Sequence, residues 1–167
     1  MEKIVFLIGY MGVGKSTLGK KLAQRLEVPF IDSDMIIENK VGMSIADYFS
    51  TYGEEEFRSL EKDFLTGITE SSAIIATGGG LPCFFDNMDY MNTMGVTIYL
   101  ERPAKELFQR LKNAKKQRPL LAGLSDEELL EFITEQLAKR EVHYLQSKFK
   151  VGRTHQTVEF LEKLLKD

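Results

Sequence analysis

Residues 9–16 read Gly9-Tyr10-Met11-Gly12-Val13-Gly14-Lys15-Ser16, which matches G-x-x-x-x-G-K-[ST]. The motif sits between an unbroken apolar run, Ile4 to Ile8, and a stretch in which Leu18, Leu22 and Leu26 recur every four residues. An apolar run without alternation predicts a strand covered on both faces, as in a parallel sheet. The fourfold recurrence predicts the buried stripe of a helix. Between them, glycines let the backbone curl until successive N–H groups face one anion, and the helix N-terminus adds its positive end. Such a turn cradles the phosphates of a nucleoside triphosphate. Lys15 is expected on the β- and γ-phosphates and the Ser16 hydroxyl on Mg²⁺. Gly12, Val13, Gly14, Lys15, Ser16 and the adjoining Thr17 are the candidate nucleotide contacts. Guanine-specific switch proteins carry Asn-Lys-x-Asp. The nearest string here, Asn39-Lys40-Val41-Gly42, lacks the aspartate, so ATP is favoured.

The rest of the chain repeats the alternation. Short strands are expected at Val28–Ile31, Ala73–Ala76, Val96–Leu100 and Phe149–Val151. Helices are expected over Ser44–Phe49, from Glu54 to Ile68 with Phe57, Leu60, Phe64 and Ile68 on one face, over Asp86–Met94, and from Pro103 to about Asn113. Ser125-Asp126-Glu127-Glu128 forms a capping box for a helix reaching Tyr144, and Thr157–Leu165 closes the chain. Strands alternating with helices define an α/β fold with a mainly parallel sheet, whose ligands sit beyond the C-terminal strand ends. Residues 113–124, with Lys115, Lys116, Arg118 and Gly123, read as a mobile basic loop.

Composition narrows the partners. The chain has 167 residues, enough for one domain, with no repeat or linker. Lys and Arg number 22 against 25 Asp and Glu, for a net charge of −3, and this balance does not point to nucleic acid. A single cysteine excludes a disulfide framework, and no Cys/His cluster has zinc spacing. No uncharged apolar run is long enough to span a membrane, and the apolar part of Met1–Gly9 is too short for a signal peptide. The expectation is a monomer in a reducing, cytoplasmic compartment.

What accepts the phosphate is a separate question. Asp32-Ser33-Asp34 directly follows the second strand. One carboxylate there can hold Mg²⁺ and the other can take or orient the proton of an attacking hydroxyl. The same residues equally make an Asx turn that caps a following helix. Arg58 stands three residues before Glu61, either as a solvated helix pair or as a guanidinium aimed at an anionic substrate. Arg140 continues the Ile133–Leu137 stripe, and a charge on an apolar stripe is expected to reach a cleft. Its bland alternative is an aliphatic stem with its head in water. Gly78-Gly79-Gly80 marks either a close approach with N–H groups open to a substrate oxygen or a flexible turn. Arg118, beside Pro119, is the arginine best placed to close over a transferring phosphoryl group. Cys83 reads as a packing residue.

In this combination the chain resembles the shikimate kinase family. The resemblance runs from Lys3 to about Tyr144 and is carried by the phosphate loop, Asp32-x-Asp34, Phe57-Arg58-x-x-Glu61, Gly78-Gly79-Gly80, Arg118-Pro119-Leu120-Leu121 and Arg140-x-x-x-Tyr144, in the family's order. It implies a single P-loop kinase domain with a five-stranded parallel sheet in the order 2-3-1-4-5. The acceptor region would be near 33–61 and a mobile lid near 113–124. It implies transfer of the γ-phosphoryl group of ATP to the 3-hydroxyl of shikimate, on the route to chorismate and the aromatic amino acids. Arg58 and Arg140 would clamp the shikimate carboxylate, with Glu61 holding Arg58, and Asp34 would meet the ring hydroxyls and serve as base. Phe57 would pack on the ring, and Gly78, Gly79 and Gly80 would contact ring hydroxyls. Asp32 would join Ser16 around Mg²⁺, Arg118 would be the lid arginine, and Arg110 would lie over adenine. The match weakens at Phe149–Gln156, where the family's adenine-holding proline is absent and Arg153 or His155 is left to stack on the base. The competing readings are a gluconate or nucleoside monophosphate kinase of similar fold and a nucleotide-binding regulatory module without transfer activity.

Overall fold

In a computed structural model, residues 2–114 and 121–167 are described. Five strands, β1 (Ile4–Ile8), β2 (Phe30–Asp32), β3 (Ala73–Ala76), β4 (Gly95–Leu100) and β5 (Phe149–Val151), form one sheet in the order β2-β3-β1-β4-β5. Every pairing is parallel, with Phe6 opposite Ile75 and Thr97, and Ile31 also opposite Ile75. The unbroken apolar runs mark the strands buried on both faces: no residue of β1 or β3 is more than 4% exposed. At about 1.5–3 kcal/mol for each large side chain removed from water, these runs hold the domain together.

Eight helices cover the sheet among the described residues: α1 (Lys15–Leu26), α2 (Ser33–Val41), α3 (Ile45–Tyr52), α4 (Glu54–Thr66), α5 (Asn87–Met94), α6 (Ala104–Lys112), α7 (Asp126–Tyr144) and α8 (Val158–Lys166). The expected capping box is present in full, with Ser125 Oγ accepting from the Glu128 N–H and Glu128 accepting from the Ser125 N–H. One expectation is met and one is corrected. A helix, α2, occupies Ser33–Val41, where no periodic stripe announces it. Met35 and Ile36 are exposed, Val41 is half-buried and only Ile37 of its apolar residues is buried, and the Asp32 carboxylate caps the helix. On α4 the buried face is Phe57, Arg58, Glu61 and Leu65, with Leu60 and Phe64 only half-buried, and the helix ends at Thr66, short of the half-buried Ile68.

The strand order sets the site. β2, β3 and β1 lie side by side, so the segments leaving their C-terminal ends are neighbours. These are Asp32–Asp34 after β2, Gly78–Gly80 after β3 and the phosphate loop after β1. Arg118 and the rest of 115–120 lie outside the described residues.

Candidate active site

The phosphate loop takes the shape its glycines permit. Gly12 and Gly14 have φ of +80° and +104°, in the left-handed region, and Gly14 is the N-cap of α1. Lys15 is buried, and its ammonium donates to the carbonyls of Gly9 at 2.6 Å and Tyr10 at 3.0 Å. Ser16 Oγ donates to Asp32 Oδ2 at 2.6 Å. The other Asp32 oxygen accepts from the N–H groups of Asp34 (3.1 Å) and Met35 (3.3 Å). One Asp32 oxygen thus caps α2, as the turn reading expects, and the other faces Ser16. A hydroxyl and a carboxylate at this spacing are hard oxygen donors of the kind Mg²⁺ takes beside substrate phosphates and water. Among the described residues no cluster of three or more His, Cys, Asp or Glu forms an all-protein metal cage.

These groups border a cleft of about 320 Å³, with Thr17, Asp34, Thr77, Gly78, Gly79 and Arg110 also on its walls. A second cleft of about 280 Å³ adjoins it and shares Met11, Asp34, Gly78 and Gly79. It collects Phe57, Arg58 and Glu61 from α4, Arg140 from α7, and Gly80. The sequence candidates for the acceptor thus converge in one place, although they come from four segments of the chain.

Arg58 is buried, and Nη1 donates to Glu61 Oε1 at 2.6 Å, so the pair is not a solvated one. Its guanidinium lies 4.2 Å from the centroid of the Phe84 ring, with the rings of Phe57 and Phe49 at 5.3 and 5.6 Å. Arg140 lies 5.7 Å from the Tyr10 ring centroid. The three glycines each make room for charge. A Cβ on Gly78 would stand 2.6 Å from Asp34 Oδ1 and 3.1 Å from Glu61 Oε2, one on Gly79 3.1 Å from Arg140 Nη1, and one on Gly80 would overlap the Arg58 guanidinium. Close approach, not flexibility, explains this run. The Gly78 N–H donates to Ser33 Oγ at 2.8 Å.

Burial pushes the Asp34 carboxyl up to about 6, and the neighbouring Asp32 charge adds to the rise while Lys15 and Arg58 oppose it. Burial likewise lifts Glu61 to about 7 against the pull of Arg58. Asp34 is the group facing both clefts, and a carboxyl poised near neutrality suits proton acceptance there.

Sequence reasoning left three contributors without a role. Ser33 anchors Gly78. Glu54 lies on Arg58 through Nε and Nη2. Tyr144, quoted only as the end of the Arg140 motif, is fully buried, donates to the Gly79 carbonyl at 2.5 Å and packs on Tyr99 with centroids 5.1 Å apart. Its signal in the sequence is its place one helical turn after Arg140.

A third cleft of about 200 Å³ opens beyond Arg110 and is bounded by Val13, Gly14, Thr17, Leu18, Lys21, Arg102 and Gln156. Arg153 pairs with Glu106 at 3.0 Å and His155 packs on Phe160 with centroids 4.5 Å apart, so neither lines this cleft. Gln156 does. Its amide nitrogen donates to the carbonyls of Glu101 (2.7 Å) and Val151 (3.0 Å), and its oxygen accepts from Arg102 Nε (3.2 Å). Cys83 is half-buried, and burial pushes its thiol up to about 11, as a packing residue requires.

A strand–loop–helix phosphate cradle sharing a wall with a cleft of two arginines and three carboxylates defines a P-loop phosphotransferase that acts on a small anionic molecule. A family model described as shikimate kinase matches residues 11–167. The shikimate kinase of Bacteroides fragilis is 51% identical over 146 residues, covering 87% of this chain and 82% of that protein. The crystal structure of the shikimate kinase from Bacteroides thetaiotaomicron superposes with a TM-score of 0.92 at 42% identity, over 99% of both chains. That of the Acinetobacter baumannii enzyme in complex with shikimate gives 0.82 at 31% identity, over 98% of this chain and 91% of that one. The chain belongs to the shikimate kinase family, and it is an ATP-dependent kinase of shikimate.

Proposed function

We propose that the γ-phosphoryl group of ATP passes in line to the 3-hydroxyl of shikimate across the wall that the two clefts share. The observation that supports this is the place of Asp34. It borders both the phosphate cradle and the cleft of Arg58 and Arg140, so a hydroxyl beside it faces the end of the nucleotide chain. The carboxylate of shikimate takes the two guanidinium groups, and Glu61 fixes Arg58. Phe57 and the glycine run shape the floor under the ring. Asp34 accepts the hydroxyl proton as the O–P bond forms, and the electron pair of the broken P–O bond leaves with ADP. Lys15 exchanges its loop carbonyls for the β- and γ-phosphates, and the loop N–H groups hold the rest. Ser16 and Asp32 would hold Mg²⁺, which would supply neutralising charge to the phosphates. Arg110 covers the base in the cleft it shares with Gln156 and Arg102. Arg118 serves the transferring group by the family resemblance alone.

The whole chain acts as one kinase domain, with acceptor region 33–61 and lid 113–124. It works as a cytoplasmic monomer in the synthesis of aromatic amino acids, without nucleic acid or membrane partners. In support, no helix among the described residues is long and apolar enough to cross a membrane. The test is ADP release with Mg-ATP and one acceptor at a time: shikimate, gluconate, AMP or none. Shikimate-dependent turnover is expected. Turnover with another acceptor alone would discard the two-arginine clamp, and silence with all four would favour the regulatory module.

A further inference from the structure

The two sides of the Arg58 guanidinium are occupied in different ways. On the inner side Nη1 donates to Glu61, whose side chain is 1% exposed, at 2.6 Å. On the outer side Nε and Nη2 converge on a single oxygen of Glu54, at 3.4 and 3.3 Å. A guanidinium–carboxylate fork normally uses two oxygens at about 2.7–2.9 Å. The Glu54 contact is longer and one-legged, and the Glu54 side chain is 55% exposed. Two other approaches are taken. Phe84 covers one face of the guanidinium and Gly80 backs its Nη end. The Nε–Nη2 edge is therefore the one an acceptor's carboxylate can reach, and Glu54, which lines the same cleft, sits on it.

We propose that Glu54 is a stand-in carboxylate: it holds the edge of Arg58 that the shikimate carboxylate takes, and shikimate binds by displacing it. The inference rests on the reading that Arg58 receives that carboxylate. Charge favours exchange over addition. Arg58 and Arg140 already face Asp34, Glu61 and Glu54, so a further carboxylate entering beside all three would overload the cluster with negative charge. Asp34 and Glu61 are held inside the site. Glu54 is at the first position of α4 and exposed, and it alone can turn out to water. With no acceptor bound, the stand-in keeps a buried guanidinium paired and its rotamer set. With an acceptor, it discriminates, because a neutral polyol offers no charge to exchange for that of Glu54. The cost is affinity, since one weak, partly exposed ion pair is broken for each shikimate bound.

Calorimetric titration of shikimate into the wild-type protein, Glu54→Gln and Arg58→Lys tests this, with ATP titrated as the internal control. Glu54→Gln is exposed and near-isosteric, and it should bind shikimate about two- to fivefold more tightly, the worth of an exposed ion pair, with ATP affinity unchanged. Arg58→Lys keeps a charge beside Glu61 but loses the fork, and it should weaken shikimate tenfold or more. Unchanged or weaker binding in Glu54→Gln, with Arg58→Lys weakened, would overturn the stand-in and leave the clamp in place. Unchanged shikimate binding in Arg58→Lys would overturn the clamp and the stand-in with it.

Discussion

The phosphate cradle is one stretch of eight residues held by its own backbone, whereas the acceptor cleft draws Asp34, Arg58, Gly79 and Arg140 from four separate segments and works through side chains. In the cradle, conformation carries the chemistry, and left-handed Gly12 and Gly14 with the start of α1 suffice to aim N–H groups at an anion. In the acceptor cleft, each group needs a neighbour to hold it: Glu61 for the Arg58 guanidinium, Ser33 for the Gly78 N–H, Tyr144 for the Gly79 carbonyl. The comparison teaches that a local motif tolerates change around it, while a distributed site depends on second residues that touch no substrate.

The largest effect should follow from the one side chain the cradle depends on. Lys15→Ala removes the charge destined for the β- and γ-phosphates and should cut kcat by about 10²–10³, the loss typical of one preorganised electrostatic contact. Near-normal turnover at saturating substrates would break the cradle assignment.

Asp34 stands where the two regions meet, and Asp34→Asn should lower kcat by about 10²-fold or more, the usual contribution of a positioned base. Its pH behaviour sharpens the test. Burial raises Asp34 to about 6 from 3.8 and Glu61 to about 7 from 4.5, so the fold favours both carboxyls protonated. Stability from these groups is then fully present below their ordinary range near 4 and is lost as pH rises through 6 to 7. Activity runs the opposite way, because proton acceptance needs ionised Asp34. The wild type should show an acid limb in kcat/KM between about 6 and 7. Asp34→Asn should alter that limb and raise Tm at pH 8 relative to the wild type. A Tm difference that does not grow from pH 5 to pH 8 would contradict the assigned cost of burying this charge.

The smallest change concerns a residue that reaches the substrate only through others. Tyr144→Phe removes the hydrogen bond to the Gly79 carbonyl, worth about 1 kcal/mol. It should raise KM for shikimate severalfold while leaving KM for ATP unaltered. An equal rise in both constants would mean that Tyr144 supports the whole fold and not the acceptor side.

The same contrast explains how much could be read beforehand. The cradle, the buried strands and the Ser125 capping box were legible because their causes are local: a spacing, an apolar run, a cap. The acceptor residues could be named but not placed. Arg58 and Glu61 read as a solvated pair as easily as a clamp. Their burial comes from Phe49 on the preceding helix, from Phe84 beyond β3, and from a charge pair that neutralises itself. The helix Ser33–Val41 was legible only through its cap, because it carries an apolar run in place of a stripe and owes its start to one side chain, that of Asp32. Gln156 was invisible for a similar reason: its three hydrogen bonds tie it to Glu101, Val151 and Arg102, partners set by the sheet and not by the sequence around it.

The central claim is that nucleotide and acceptor occupy two clefts with separate determinants meeting at Asp34. The most direct test is Arg140→Ala with KM measured for both substrates in one series. The account expects KM for shikimate to rise by the equivalent of about 2–5 kcal/mol, as when a charged partner of a buried carboxylate is removed, with KM for ATP within twofold of wild type. An unchanged KM for shikimate, or a matching loss for ATP, would contradict it.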